Sequence, residues 1–207
     1  MLFRSHVSGT DPVRVFWYLL LPFVPAYNWT LITHFLLAGL GMFLLLRYWG
    51  FPTGMSVLLA LAYQFAGCFI RFFGHPWIQA SFLYYPFLWL AWESGLREKF
   101  GVRATQAALL VAAILYAGNV QSHSYLGIFA VAFALGYGWR NRANWKRLTG
   151  LLALSGILGA CLAAPVVSAE VEFFLNSSRP IEHHPLRACL NGVRSEEHTS
   201  ELQSPCN

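Results

Sequence analysis

The chain has 207 residues, 57% of them hydrophobic, 11% charged and 16% aromatic, with a net charge of +5. Soluble domains carry about 25% charged residues, so this composition excludes an ordinary soluble enzyme. The positive charge comes with no nucleic-acid motif, and no nucleic-acid partner is predicted.

Stretches without Asp, Glu, Lys or Arg dominate the chain. A bilayer core about 30 Å thick is crossed by roughly 20 apolar residues in a helix. The five uncharged stretches, each at least that long, cover residues 15–46, 48–70, 72–92, 104–139 and 148–169. This pattern predicts an all-α fold, a polytopic helical bundle whose partner is the lipid bilayer.

The first stretch contains Pro22 and Pro25, and both are predicted to interrupt its helix. Residues 1–26 therefore form an external or interfacial N-terminal segment, with an interfacial or re-entrant helix over residues 15–24. The first complete span is predicted over residues 27–46.

The stretch 104–139 would be about 54 Å long as one helix, too long for a single span. A polar turn at residues 118–124 divides it in two. The prediction is then six spans in a transmembrane domain of residues 27–175, followed by an external tail of residues 176–193. The spans cover residues 27–46, 54–70, 78–95, 104–117, 125–139 and 146–164.

Lys and Arg occur mainly in alternate gaps between these spans. They are Arg47 in the first gap, Arg97, Lys99 and Arg103 in the third, and Arg140, Arg142, Lys146 and Arg147 in the fifth. Cytoplasmic loops collect such residues, so these gaps are predicted to face the cytoplasm. Both ends of the chain are then external.

The sequences of the two terminal segments indicate that this chain is part of a longer protein. Residues 194–204 read RSEEHTSELQS, which resembles a translated sequencing adapter, so residues 194–207 are excluded as an artefact. We expect the natural sequence to continue beyond residue 193 and a further span to precede Met1.

Short motifs follow one another in order over residues 13–180. They are His34, Ala38-Gly39-Leu40-Gly41-Met42, Arg47, Gly74-His75, Tyr85-Pro86, Trp92-Glu93, Gly118-Asn119-Val120-Gln121, Ala164-Pro165, Glu170 and Ser178-Arg179. Together they resemble the YfhO-like family of bacterial membrane proteins, which implies a bacterial cytoplasmic membrane. Where that family has a Gly-His-Pro-Gln turn, this chain has Asn and Val at the middle positions.

The resemblance implies a GT-C-type glycosyltransferase that takes sugar from a polyprenyl-phosphate donor on the outer face and glycosylates a cell-envelope polymer or lipid. Such enzymes use a carboxylate in the first external loop as general base. Asp11, the one Asp in the chain, lies where that loop would end and is the candidate for the role. No cofactor is predicted, although a divalent metal could stabilise the departing phosphate.

Several external polar residues could bind the lipid phosphate of the donor. Arg71, His75 and His123 would form a cationic pocket if the spans that carry them are neighbours. The competing interpretation is hydration at the headgroup level, with snorkelling for Arg71. The further candidates for this pocket are Asn119, Gln121 and Arg179.

Two polar residues are predicted inside the bundle. His34 in the first span and Gln64 in the second lie at depths where polar groups face other helices, either for interhelical hydrogen bonds or for catalysis. Gly39, Gly41 and Gly67 are predicted to be close contacts between helices.

Two alternatives to glycosyl transfer remain open. A lipid or polymer transporter would use the same polar interior as a pathway without a catalytic acid. The second alternative is a truncated product without function.

Overall fold

The computed structural model describes residues 11–71, 76–117, 120–140 and 144–176, and all of its elements there are helices. The all-α prediction is therefore confirmed. The chain divides into two compact units, Met1–Glu172 and Phe173–Asn207, and of the second only the end of the last helix is described. The helices are α1 (Pro12–Leu20), α2 (Phe23–Tyr48), α3 (Thr53–Gln64), α4 (Gly67–Arg71), α5 (Pro76–Arg97), α6 (Phe100–Tyr116), α7 (Val120–Arg140), α8 (Trp145–Leu162) and α9 (Ala164–Asn176).

Helices α1 and α2 form a hairpin that begins at Asp11. The Asp11 side chain caps α1, and the helix ends before Pro22, whose ring disfavours a helical conformation at the preceding residue. The Trp17 indole donates to Thr33 Oγ1 at 2.9 Å and stacks on the Trp29 ring, which fixes α1 along the first half of α2. The sequence predicted an interfacial or re-entrant helix over residues 15–24. Helix α1 begins three residues earlier and ends four residues earlier than that prediction.

The second proline of this region does not interrupt a helix. Pro25 lies in the first turn of α2, where a missing backbone N–H leaves no hydrogen bond unmade. Helix α2 therefore begins at Phe23, and the prediction that Pro25 delays the helix to Tyr27 was wrong.

The long uncharged stretch 104–139 is divided as predicted. Helix α6 ends at Tyr116 and α7 begins at Val120. The break is shorter than the sequence suggested, because Gln121 and His123 already belong to α7. Gly118 and Asn119 lie outside the described residues.

Helices α2, α5 and α7 run in one direction and α3, α6 and α8 in the other, and their contacts define two ends of the bundle. The Arg97 guanidinium lies over the Tyr48 ring, and Arg147 Nη2 donates to the Gly95 carbonyl at 3.1 Å, so α2, α5 and α8 meet at one end. At the opposite end, Tyr116 donates to the Leu162 carbonyl at 3.1 Å. We call the first the basic end, defined by Arg47, Arg97, Lys99, Arg103, Lys146 and Arg147.

Helix α5 lies at the centre, in contact with α2, α6, α7 and α8. Aromatic rings fill the space between α5 and α7: the Trp89 and Phe133 centroids are 5.3 Å apart, and those of Trp92 and Phe133 are 5.2 Å apart. The Trp92 indole also donates to Ser155 Oγ on α8 at 3.1 Å. Between α5 and α7 the core is therefore aromatic, whereas Ala and Leu make up most of the remaining buried cluster.

The outer surface carries many exposed hydrophobic side chains. Large aliphatic side chains spaced three or four residues apart form outward stripes on α2 and α7, with exposed fractions of 39% to 66%. Soluble monomers rarely expose continuous apolar surface of this extent. The stripes consist of Leu36, Leu40 and Leu44 on α2 and Ile128, Val131 and Leu135 on α7.

Within the described residues, α2 is the helix that is long and apolar enough to cross a bilayer by itself. Helix α8 and the first part of α9, Ala164–Glu172, are together long and apolar enough for a second crossing. They are bent by 73° relative to each other, so they would form a broken span or a re-entrant loop. Helices α3 and α6 are apolar but shorter.

Two of the three glycines predicted as close contacts are confirmed. A methyl group on Gly39 would lie 2.8 Å from Gln64 Oε1, and one on Gly41 would lie 2.7 Å from the Phe87 ring. Gly67 has open space around its α-carbon, so the prediction for that residue was wrong.

The Glu93 carboxylate accepts three hydrogen bonds at the basic end of the bundle. Its Oε2 accepts from the indoles of Trp49 at 2.6 Å and Trp89 at 3.2 Å, and its Oε1 accepts from Arg97 at 2.7 Å. Only 7% of Glu93 is exposed. One carboxylate therefore joins the end of α2 to α5.

Replacing Glu93 by Gln is expected to lower the free energy of unfolding by about 1–3 kcal/mol, since an amide cannot accept from all three donors. The matched control is Glu98→Gln, where the carboxylate pairs with Arg103 at 2.9 Å but is about half exposed. That change should stay within about 0.5 kcal/mol. Thermal unfolding in one detergent would measure both, and equal losses would contradict the role of Glu93.

Candidate functional site

The candidate site is a buried group of three side chains, Asp11, His34 and Tyr84, which we call the Asp11 cluster. Asp11 Oδ1 lies 3.4 Å from His34 Nε2 and 3.4 Å from the Tyr84 hydroxyl oxygen. Asp11 is 1% exposed, His34 0% and Tyr84 7%. The cluster thus joins the start of α1 to the middle of α2 and to α5.

The hairpin of α1 and α2 places the carboxylate at this depth. His34 is eleven residues beyond Phe23, which puts it about 16 Å from the beginning of α2. Helix α1 runs back along α2, so its first residue reaches the same level. The sequence placed Asp11 at the end of an external loop, whereas the structure places it against two helices.

The backbone of α1 stabilises the Asp11 carboxylate. Oδ1 accepts from the amides of Val13 at 3.1 Å and Arg14 at 3.4 Å. The positive end of the helix dipole also favours a negative charge at this position. A buried carboxylate needs such partners, because desolvation without them is costly.

One ring nitrogen of His34, Nε2, faces the Asp11 carboxylate, and the other, Nδ1, makes no hydrogen bond to the described residues. Because a carboxylate oxygen can only accept, we assign the ring proton to Nε2. Nδ1 is then a bare acceptor, and it is buried without a hydrogen-bond partner within the described part of the chain. An imidazole oriented by a carboxylate can act as a general base. Nδ1 is enclosed here, so a substrate hydroxyl reaches it only after the surrounding side chains move.

A second pair of ionisable groups joins α7 to α9. His123 Nδ1 lies 3.2 Å from Glu170 Oε2, and His123 Nε2 lies 3.4 Å from the Leu115 carbonyl oxygen. Burial raises the pKa of the Glu170 carboxyl above its usual value, and the adjacent His123 imidazole opposes that shift. The sequence singled out each residue, but not their contact.

No protein-family model matches this chain, and neither a curated protein nor a solved structure matches it. The function must therefore be argued from the site itself.

The cationic pocket was predicted from Arg71, His75 and His123. Of these three side chains the structure describes His123, which contacts Glu170. His75, Asn119 and Arg179 lie outside the described residues. Arg71 ends α4 and Gln121 lies in the first turn of α7, but their side chains are not described. The phosphate pocket stays a prediction.

The prediction that His34 faces the bundle interior is confirmed, and Thr30 one turn earlier is buried as well. Gln64 is half-buried and packs against Gly39 of α2. Tyr84 was missed, because nothing in its sequence context distinguishes it from the other tyrosines of the chain. Among the described residues, His, Cys, Asp and Glu side chains form no group of three or more that could hold a metal ion.

Proposed function

We propose that the chain is the membrane scaffold of a GT-C-type glycosyltransferase in a bacterial cytoplasmic membrane, related to the YfhO-like proteins. The six proposed spans are α2, α3 with α4, α5, α6, α7 and α8. The alternating helix directions and the outward apolar stripes support this arrangement, because lipid contacts the outer face of such a bundle.

The orientation rests on the basic end. Six described cations gather there, from the ends of α2 and α5 and the beginnings of α6 and α8. Cytoplasmic ends of spans collect Lys and Arg, so the basic end faces the cytoplasm in this proposal. Helix α9, beyond the bend after α8, then lies at the external face, and α1 enters the bundle from that side.

The proposed reaction is transfer of a sugar from a polyprenyl-phosphate donor to a hydroxyl of a cell-envelope polymer or lipid. The acceptor oxygen forms the new bond to the anomeric carbon, and the bond from that carbon to the phosphate oxygen breaks. His34 Nδ1 takes the acceptor proton, and Asp11 stabilises the resulting imidazolium. The observation that carries this proposal is the contact between Asp11 and His34.

The burial of that pair favours a second candidate, a proton-coupled transporter of lipid or polymer. Ionisable groups inside a membrane commonly mark proton pathways, and Asp11 and His34 are both almost fully enclosed. In a transporter the cluster would bind and release protons without forming a glycosidic bond.

One assay distinguishes the two candidates. The protein is reconstituted in vesicles with a radiolabelled polyprenyl-phosphate sugar and a lipid acceptor, and both bond formation and internal pH are followed. Labelled glycoside that disappears in a His34→Gln variant supports the transferase. Proton movement that requires His34, without any labelled glycoside, would replace the transferase by the transporter.

A further inference from the structure

A groove opens between α5 and α6 at the basic end, away from the Asp11 cluster. Its mouth is a hollow of about 580 Å³ lined by Glu98, Lys99, Val102, Arg103 and Gln106. An adjoining hollow of about 350 Å³ shares Arg103 and Gln106, and its other walls are apolar. The apolar walls include Phe87, Leu90, Leu109 and Leu110.

The groove changes from charged to apolar along its length. Leu110 is seven residues beyond Arg103 on α6, which corresponds to about 10 Å towards the centre of the bundle. Val102 and Leu109, one from each hollow, are both 56% exposed. A ligand that fits has an anionic group at one end and a hydrocarbon chain at the other.

The mouth retains capacity to bind an anion. Arg103 donates from Nη2 to Glu98 at 2.9 Å and from Nη1 to Gln106 at 3.0 Å. A guanidinium has five N–H donors, so three remain for a phosphate oxygen. Lys99 adds a second cation, and the two together exceed the single carboxylate of Glu98.

We propose that this groove binds an anionic phospholipid, with its phosphate at Lys99 and Arg103 and an acyl chain along Leu109 and Leu110. The proposal rests on the membrane location proposed above. Basic pockets between helices at a cytoplasmic surface suit anionic headgroups, whereas a zwitterionic lipid brings its own cation to the same place. The bound lipid would occupy the groove along α5 and α6.

Lipid retention tests the proposal. The protein is placed in vesicles of phosphatidylcholine with a minor fraction of phosphatidylglycerol, recovered by flotation, and examined for retained lipid by native mass spectrometry. We expect preferential retention of phosphatidylglycerol, reduced about tenfold in a Lys99→Gln/Arg103→Gln variant. The matched control is Lys146→Gln, an exposed cation of the basic end outside the groove, which should keep the preference.

A second variant distinguishes lipid binding in the groove from attraction of anionic lipid to the surface charge alone. Leu109→Trp keeps both cations but fills the apolar floor, and it should also lose the preference, while Leu135→Trp on the outer stripe of α7 should not. An unchanged preference in both groove variants overturns the site. Failure of the unmodified chain to float overturns the membrane location and this site with it, whereas flotation without lipid preference overturns the site alone.

Discussion

Replacing Asp11 by Asn is expected to reduce sugar transfer by a factor of about 10² to 10⁴, because general-base catalysis by His34 contributes about that much and depends on the Asp11 carboxylate. An amide cannot stabilise the imidazolium that forms when His34 takes the acceptor proton. Asn caps a helix about as well as Asp does, so α1 should still begin at Pro12. The amide accepts fewer hydrogen bonds than the buried carboxylate, so the free energy of unfolding should also fall by about 1–3 kcal/mol. Turnover is therefore measured per folded protein, well below the melting temperature, where the loss of transfer should persist.

Two further variants test whether the cluster acts as a unit. His34→Gln should cost about as much activity as Asp11→Asn, and the double variant little more, because residues of one catalytic unit are strongly non-additive. The matched control is Glu98→Gln, a carboxylate at the basic end, which should keep full transfer. Full activity in the Asp11→Asn protein would remove the cluster from the mechanism.

Replacing Gly159 by Ala is expected to lower the free energy of unfolding by about 1–3 kcal/mol. Helices α6 and α8 approach closely at this residue. A methyl group there would lie 2.6 Å from Val111 Cγ1 and 2.9 Å from the Ala108 carbonyl oxygen. The second contact is to backbone, so it can be relieved only by moving the helices apart.

Gly156→Ala, one turn earlier on α8, is the matched control. A methyl group added there would have no neighbouring side chain within 4 Å, so the helix should gain up to about 1 kcal/mol from the better propensity of Ala. Denaturant or thermal unfolding of both variants in the same detergent measures the difference. Equal stability of the two would contradict the close packing of α6 on α8.

The division of the chain into helices could be predicted because it depends on local signals. The length of the uncharged stretch 104–139 and its polar centre required two helices, and the structure has α6 and α7 there. The effect of Pro25 was misjudged, since a proline in the first turn of a helix and one that ends a helix look alike in sequence. The first and last residues of the helices were therefore predicted less accurately than the number of helices in this stretch.

The candidate site could be predicted only in pieces. Asp11 and His34 were each singled out, but their contact depends on α1 folding back along α2, which residue types alone do not specify. Tyr84 is 73 residues from Asp11 in the chain, and no local pattern connects them. The contact of Glu93 with Trp49 could not be predicted either, because it depends on how α2 packs against α5. Its contacts with Trp89 and Arg97 are one turn apart on α5 and follow from helix spacing.

The most direct test of the account is the side of the membrane on which the two ends of the bundle lie. In a background without Cys68, Cys161, Cys189 and Cys206, single cysteines replace Lys99, Lys146 or Ser168 and are exposed to an impermeant maleimide on intact cells. We expect the Ser168→Cys protein to react directly, and the Lys99→Cys and Lys146→Cys proteins to react only after permeabilisation. Reaction at Lys99→Cys and Lys146→Cys from opposite faces, or release of the protein by alkaline carbonate, would contradict the proposed membrane bundle.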